Sequence, residues 1–220
     1  MHPDAAVGWR AVVARLKLYG LKALVKFAFL DLKARFLSAA SKNQTLRAIA
    51  ATHSVTVVNS TGSVNEPAVL AQLEELNADV AIGMFSEKAD GTLRRISKRG
   101  LLLMHYSLLP RFAGREPTFW TMLEDPSAAG ITFFKANRSF DAGTVVLQAG
   151  KSLSGVKSLH SAITMLSELA GQHITKAVLS FAHSSHSSSE VEQNFEPRQM
   201  RSWPNQSDVR RFHARGLELV

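Results

Sequence analysis

Residues 100–114 read GLLLMHYSLLPRFAG. Four apolar residues, Leu101 to Met104, lead into His105; a Ser107-Leu108-Leu109-Pro110 turn follows and the run closes on Gly114. A short apolar run bounded by glycine and a proline turn is the pattern of a strand buried on both faces. In open α/β sheets ligands bind beyond the carboxyl ends of such strands. His105 stands at that end, where an imidazole can move a proton or stabilise an oxyanion. Ser107 has no base and orienting partner arranged for it, so it reads as a turn-ordering residue and not a nucleophile.

Outward from this strand the texture alternates. Downstream, GITFFKA (Gly130–Ala136) and TVVLQ (Thr144–Gln148) read as strands, with Asp141-Ala142-Gly143 in the loop between them. A long helix is predicted over 157–181, with Leu159, Ile163, Leu166, Leu169 and Ile174 along one side. Upstream, VTVV (Val55–Val58) and DVAIGM (Asp79–Met84) read as buried strands, and Gln44–Thr52 as a short helix. Asn65-Glu66-Pro67 predicts a helix start, with Asn65 as cap and Pro67 in the first turn. Apolar strands alternating with amphipathic helices indicate an α/β layer fold with a largely parallel sheet. An Asp141 carboxylate reaching the same sheet edge would orient His105.

The string His105, Ser107-Leu108-Leu109-Pro110, Gly114, Pro117, Trp120, Gly130-Ile131-Thr132, Asp141-Ala142-Gly143 and Gln148 resembles the folate-dependent formyltransferases in order and spacing. Branches of that family act on glycinamide ribonucleotide, methionyl-tRNA and nucleotide sugars. The likeness covers about residues 43–181. It implies a Rossmann-like formyltransferase fold and a formyl group moved from 10-formyltetrahydrofolate to a primary amine. His105 and Asp141 are then the catalytic pair. The loops carrying Met84, Phe85 and Ser86, and Asn137, Phe140 and Asp141, are implied to receive the pterin.

Two departures accompany the likeness. The family's catalytic Asn falls on Leu103, which has no donor for an oxyanion; losing one such donor typically costs roughly 10²–10³ in rate. The family opens with a strand, a glycine loop, a helix and a second strand, whereas this chain opens on a basic helical pattern, so the resemblance implies a truncated N-terminal part. The function expected is transfer to a small amine of nucleotide-sugar or ribonucleotide type. The alternative is an impaired or inactive descendant, serving as a binding module or a fragment. Fewer than 40 residues follow the long helix, which disfavours the tRNA branch with its additional C-terminal domain.

Charge narrows the partners further. Residues 1–47 hold nine basic groups against two acids, +7 of the chain's net +8. The basicity therefore belongs to an arm and not to a folded face, so nucleic acid is disfavoured as a partner. Leu21, Leu24, Val25, Ala28, Leu32 and Phe36 form an apolar stripe on that arm. Packing on the domain is the expected role, with contact to an anionic membrane surface as the lesser alternative. The expected organisation is a basic helical arm over 1–42, a formyltransferase-like domain over 43–182, and a serine-rich linker with a docking tail over 183–220.

Cysteine is absent, which removes disulfides, thiolate nucleophiles and cysteine-bound metals. His183 and His186 lack a third ligand, so no metal is expected. Ala149-Gly150-Lys151-Ser152 imitates a P-loop end, but Val145 holds the place of its first glycine. Glu74, Glu75 and Glu87 read as solvated charges. No apolar run suits a membrane span and no secretory pattern opens the chain, so a cytoplasmic protein is expected.

Overall fold

The computed structural model describes residues 46–58, 62–85, 87–183 and 200–220, together with Val25, Ala28 and Phe29. Most of the basic arm and Ser86 lie outside the described residues. Val25 and Phe29 are helical and exposed. The chain divides into two compact units, Met1–Asn59 with Pro204–Val220, and Ser60–Trp203.

In the first unit, α1 is Leu46–Thr52. Val55–Val58 is not a strand: it has no ladder partner among the described residues, and Val55 and Val57 are exposed. A β-branched run supplies strand propensity, but that propensity is realised only against neighbouring strands. The last helix of the chain, Gln206–Ala214, opens on a capping box. The Asn205 side chain accepts from the Ser207 and Asp208 amides, and Asp208 accepts from the Asn205 amide.

The second unit carries the sheet. Its elements are α2 (Pro67–Glu75), β1 (Ala81–Gly83), β2 (Leu101–His105), α3 (Pro117–Glu124), β3 (Gly130–Lys135), β4 (Val145–Gly150) and α4 (Leu159–His183). The strands lie in the order β1-β2-β3-β4. The parallel direction expected from the apolar strands holds for β1 and β2, whereas β2–β3 and β3–β4 are antiparallel. The reason for the last pair is the connection. Nine residues between β3 and β4 are too few for the crossover a parallel pair needs, so the chain doubles back as a hairpin.

Continuous apolar sequence does produce buried strands at the centre. Leu102, Ile131 and Phe133 have no exposed surface. The long helix α4 turns Leu159, Ala162, Leu166, Ala170, Ala177 and Phe181 inward at three- and four-residue spacing and packs on β3 and β4. At the margin the reading fails. β1 shrinks to three residues and Ile82 is 42% exposed, because among the described strands only β2 pairs with it. Asn65 does not cap α2. Its side chain bridges instead to the Glu87 carboxylate, the Lys88 carbonyl and the Asp90 amide.

Candidate active site

Register places the chemistry on one face of the sheet. Leu103 lies opposite Phe134, and His105 opposite Thr132. Side chains of directly paired residues share a face, as do residues two apart on one strand. Leu103, His105, Thr132 and Phe134 therefore share a face.

The 107–114 loop is pinned over this face by a buried polar hub. The Thr132 hydroxyl donates to the Ser107 carbonyl at 2.6 Å and accepts from the Leu109 amide at 3.0 Å. Gln148 Nε2 reaches both Thr132 Oγ1, at 2.9 Å, and the Leu109 carbonyl, at 2.7 Å. Ser107 is fully buried and donates its hydroxyl to the Arg111 carbonyl at 2.7 Å. It orders the turn as expected. Leu108 packs where a Cβ on Gly130 would stand, and the Leu109–Pro110 peptide is cis.

So anchored, the loop touches both members of the expected pair. His105 Nε2 lies 3.1 Å from the Phe112 carbonyl oxygen, and Nδ1 lies 3.7 Å from Asp141 Oδ1. A carbonyl accepts only, so Nε2 donates and carries a proton. Asp141 Oδ2 accepts from the Gly114 amide at 2.8 Å. Both side chains are largely buried, 11% exposed for His105 and 17% for Asp141.

Asp141 arrives by an indirect route. β3 leaves the sheet at Lys135, level with Leu102 at the start of β2, and the loop must return along the face to meet His105. It is braced for this. Asn137 Nδ2 donates to the Ala142 carbonyl, its Oδ1 accepts from the Ser139 amide, and Asp141 sits in the left-handed region at φ 49°. Gly143 passes so close to the Lys135 carbonyl that a Cβ there would collide with it. Asn137 thus holds its own loop.

Of the expected pterin loops, Phe140 is exposed beside Asp141. Met84 is 62% exposed and directly follows Gly83, which pairs with Leu103. Phe85 is half-buried on the core of Leu70, Ala89, Leu93, Ile96 and Leu101. Leu103 itself packs against Leu109, Ala113 and Phe134.

Glu87 is not the solvated charge expected from sequence. It is half-buried and accepts from the Ser63 hydroxyl, the Val64 amide and the Asn65 side chain. Burial pushes its carboxyl up, but the three hydrogen bonds outweigh this and hold it below its ordinary value. The partners lie 22–24 residues away, a separation that leaves no local sequence signal. Among the described residues no group of three His, Asp or Glu side chains could hold a metal, and no helix is long and apolar enough to cross a membrane.

The family model that matches this chain is described as formyl transferase and covers residues 32–178. Methionyl-tRNA formyltransferase of Geobacter metallireducens is 29% identical over 125 residues, 55% of this chain and 40% of the relative. The corresponding enzyme of Syntrophus aciditrophicus is 27% identical over 131 residues, 59% and 42% respectively. The chain therefore spans about two fifths of the length of these curated relatives. In fold it is similar to the crystal structure of phosphoribosylglycinamide formyltransferase from Bacillus halodurans: TM-score 0.53, 18% identity, 67% of this chain and 78% of that one. It is also similar to WlaRD, a sugar 3N-formyltransferase determined with dTDP and 5-N-formyl-THF: TM-score 0.52, 14% identity, 80% and 66%.

Proposed function

This chain belongs to the formyl transferase family, and from that premise we propose that it passes a formyl group from 10-formyltetrahydrofolate to the primary amine of a small substrate. The observation that carries the reading is the meeting of His105, Asp141 and the Gly114 amide. The exposed side chains of Met84 and Phe140 suit a flat heterocycle, since apolar and aromatic surfaces take such rings by stacking and burial. When bound, the folate supplies an activated formyl carbon whose bond to nitrogen is exchanged for a bond to the amine.

The protein's part is orientation and proton handling. Asp141 sits against Nδ1 and fixes the ring, while Nε2 rests on the Phe112 carbonyl. His105 must exchange that carbonyl for the reacting group; its Nε2 proton then passes to the departing nitrogen, and the proton lost by the attacking amine restores Nε2–H. Leu103 brings no donor, so the oxyanion is served by fewer groups than the family pattern provides. A second reading, a folate-binding module without transfer, is favoured by one observation: Leu103 is packed among Leu109, Ala113 and Phe134.

Thermal denaturation with 5-formyltetrahydrofolate tests the donor assignment. A ligand that binds only the folded state adds about 2.7 kcal/mol of stability at a hundred times its Kd. A melting temperature that climbs with ligand concentration is expected. No shift at saturating ligand, in protein shown to be folded, removes the folate assignment.

A further inference from the structure

Next to the catalytic loop runs a segment that neither the motif nor the family string includes. Arg201 forms a parallel bridge with Gly114. Its amide donates to the Ala113 carbonyl at 2.7 Å, and its carbonyl accepts from the Arg115 amide at 2.8 Å. The segment thus grips the loop on both sides of Gly114, whose amide holds Asp141, and two residues before it the Phe112 carbonyl holds His105. A Cβ on Gly114 would run into the Arg201 backbone, and φ there is 100°, so glycine permits the close approach.

The segment has its own anchors. The Arg201 guanidinium pairs with Glu124 of α3 and stacks over Trp120, 5.3 Å from the ring centroid, and over Phe112 at 6.0 Å. Trp120 Nε1 donates to the Ser202 carbonyl at 3.1 Å. Arg115 stacks over Trp203 at 5.7 Å. Stacked guanidinium groups and a buried indole N–H are rigid, geometrically demanding contacts.

We infer that Met200–Trp203 is a strap that positions the His105–Asp141 pair through the Gly114 amide, with Arg201 as the positioning residue. Among the described residues no hydrogen bond or ion pair joins the strap to the ring or the carboxylate directly. It sets the height of the Gly114 N–H above Asp141, and Asp141 in turn sets the imidazole. A displacement of about 1 Å in a reacting group can cost on the order of 10² in rate. The effect on turnover rests on the formyl-transfer reading; the effect on the Gly114 amide does not.

The test uses the full chain as Arg201→Ala, with Trp120→Phe as a second variant that keeps a buried ring and removes only the N–H on Ser202. Hydrogen exchange at Gly114 and Arg115 is read by NMR beside turnover. In both variants the two amides are expected to exchange at least about tenfold faster, while α4 amides keep their protection. The kcat is expected to fall about tenfold to a hundredfold with KM for the formyl donor nearly unchanged. In an Asp141→Ala background Arg201→Ala is expected to cost little more, because both act on one arrangement. Unchanged exchange at Gly114 in folded variants overturns the strap, as does an Arg201→Ala loss in kcat that persists in full without Asp141. A wild-type chain that shows no turnover but shows faster Gly114 exchange in both variants removes the enzyme reading and leaves the strap standing.

Discussion

Replacing Leu103 with asparagine is expected to raise formyl transfer by something approaching 10²–10³, roughly the worth of one oxyanion donor. Leu103 shares a sheet face with His105, two residues along the same strand, so the new amide would stand beside the imidazole. The opposing effect is lost packing. Leu103 touches Leu109, Ala113 and Phe134, and an amide placed there forfeits apolar contact, at a cost of about 1–3 kcal/mol if its polar atoms find no partner. The position is only half-buried, so water can meet part of that need. His105→Ala in the same background should abolish the gain, because the two groups serve one oxyanion. Turnover and denaturation measured on the same preparations separate the outcomes. Lost stability with no gain in rate would identify a pocket already committed to leucine and a protein that binds without transferring.

The second large effect concerns Thr132. Thr132→Val keeps the shape and removes the hydroxyl that joins the Ser107 carbonyl, the Leu109 amide and Gln148. The residue has no exposed surface, so water cannot replace the lost partner at the Leu109 amide or the Ser107 carbonyl. Each buried group left unsatisfied costs about 1–3 kcal/mol, which predicts a total of about 3 kcal/mol or more. Urea denaturation should show a lower midpoint with an unchanged m value. Thr132→Ser keeps the hydroxyl and should lose only about 1 kcal/mol for the missing methyl. A valine variant as stable as the serine variant would show that the hub does not anchor the loop.

What could be read in the sequence follows from how local each signal is. β2, β3 and the extent of α4 were legible because a short apolar run and a long amphipathic one match the elements formed. Ala162, Ala170 and Ala177 line the inward face of α4, however, whereas Ile163 and Ile174 of the expected stripe are exposed, and β4 forms where expected but is only partly buried. Val55–Val58 was not legible, since its propensity finds no partner strand among the described residues, and β1 is short and exposed at Ile82 for a related reason. The meeting of His105 and Asp141 was legible through the ordered string of motif residues, but the return path of the Asp141 loop was not. An antiparallel β3 makes that path necessary, and strand direction leaves no mark on a short apolar run. Glu87 and Arg201 were missed for one physical cause. Their principal bonds reach main-chain or polar groups far along the chain, and such contacts impose no residue pattern. Thr132 and Gln148 stood inside the motif string, but their joint role is visible only once the Ser107–Leu109 turn is seen lying on them.

The role of His105 is tested most directly by mixing the protein with 10-formyltetrahydrofolate and a panel of small primary amines and following release of tetrahydrofolate. Release is expected to require an amine and to fall about 10²–10⁴-fold in His105→Ala, the usual contribution of a positioned proton-transfer group. Equal release by the wild-type chain and His105→Ala, with 5-formyltetrahydrofolate still bound by both, would contradict it.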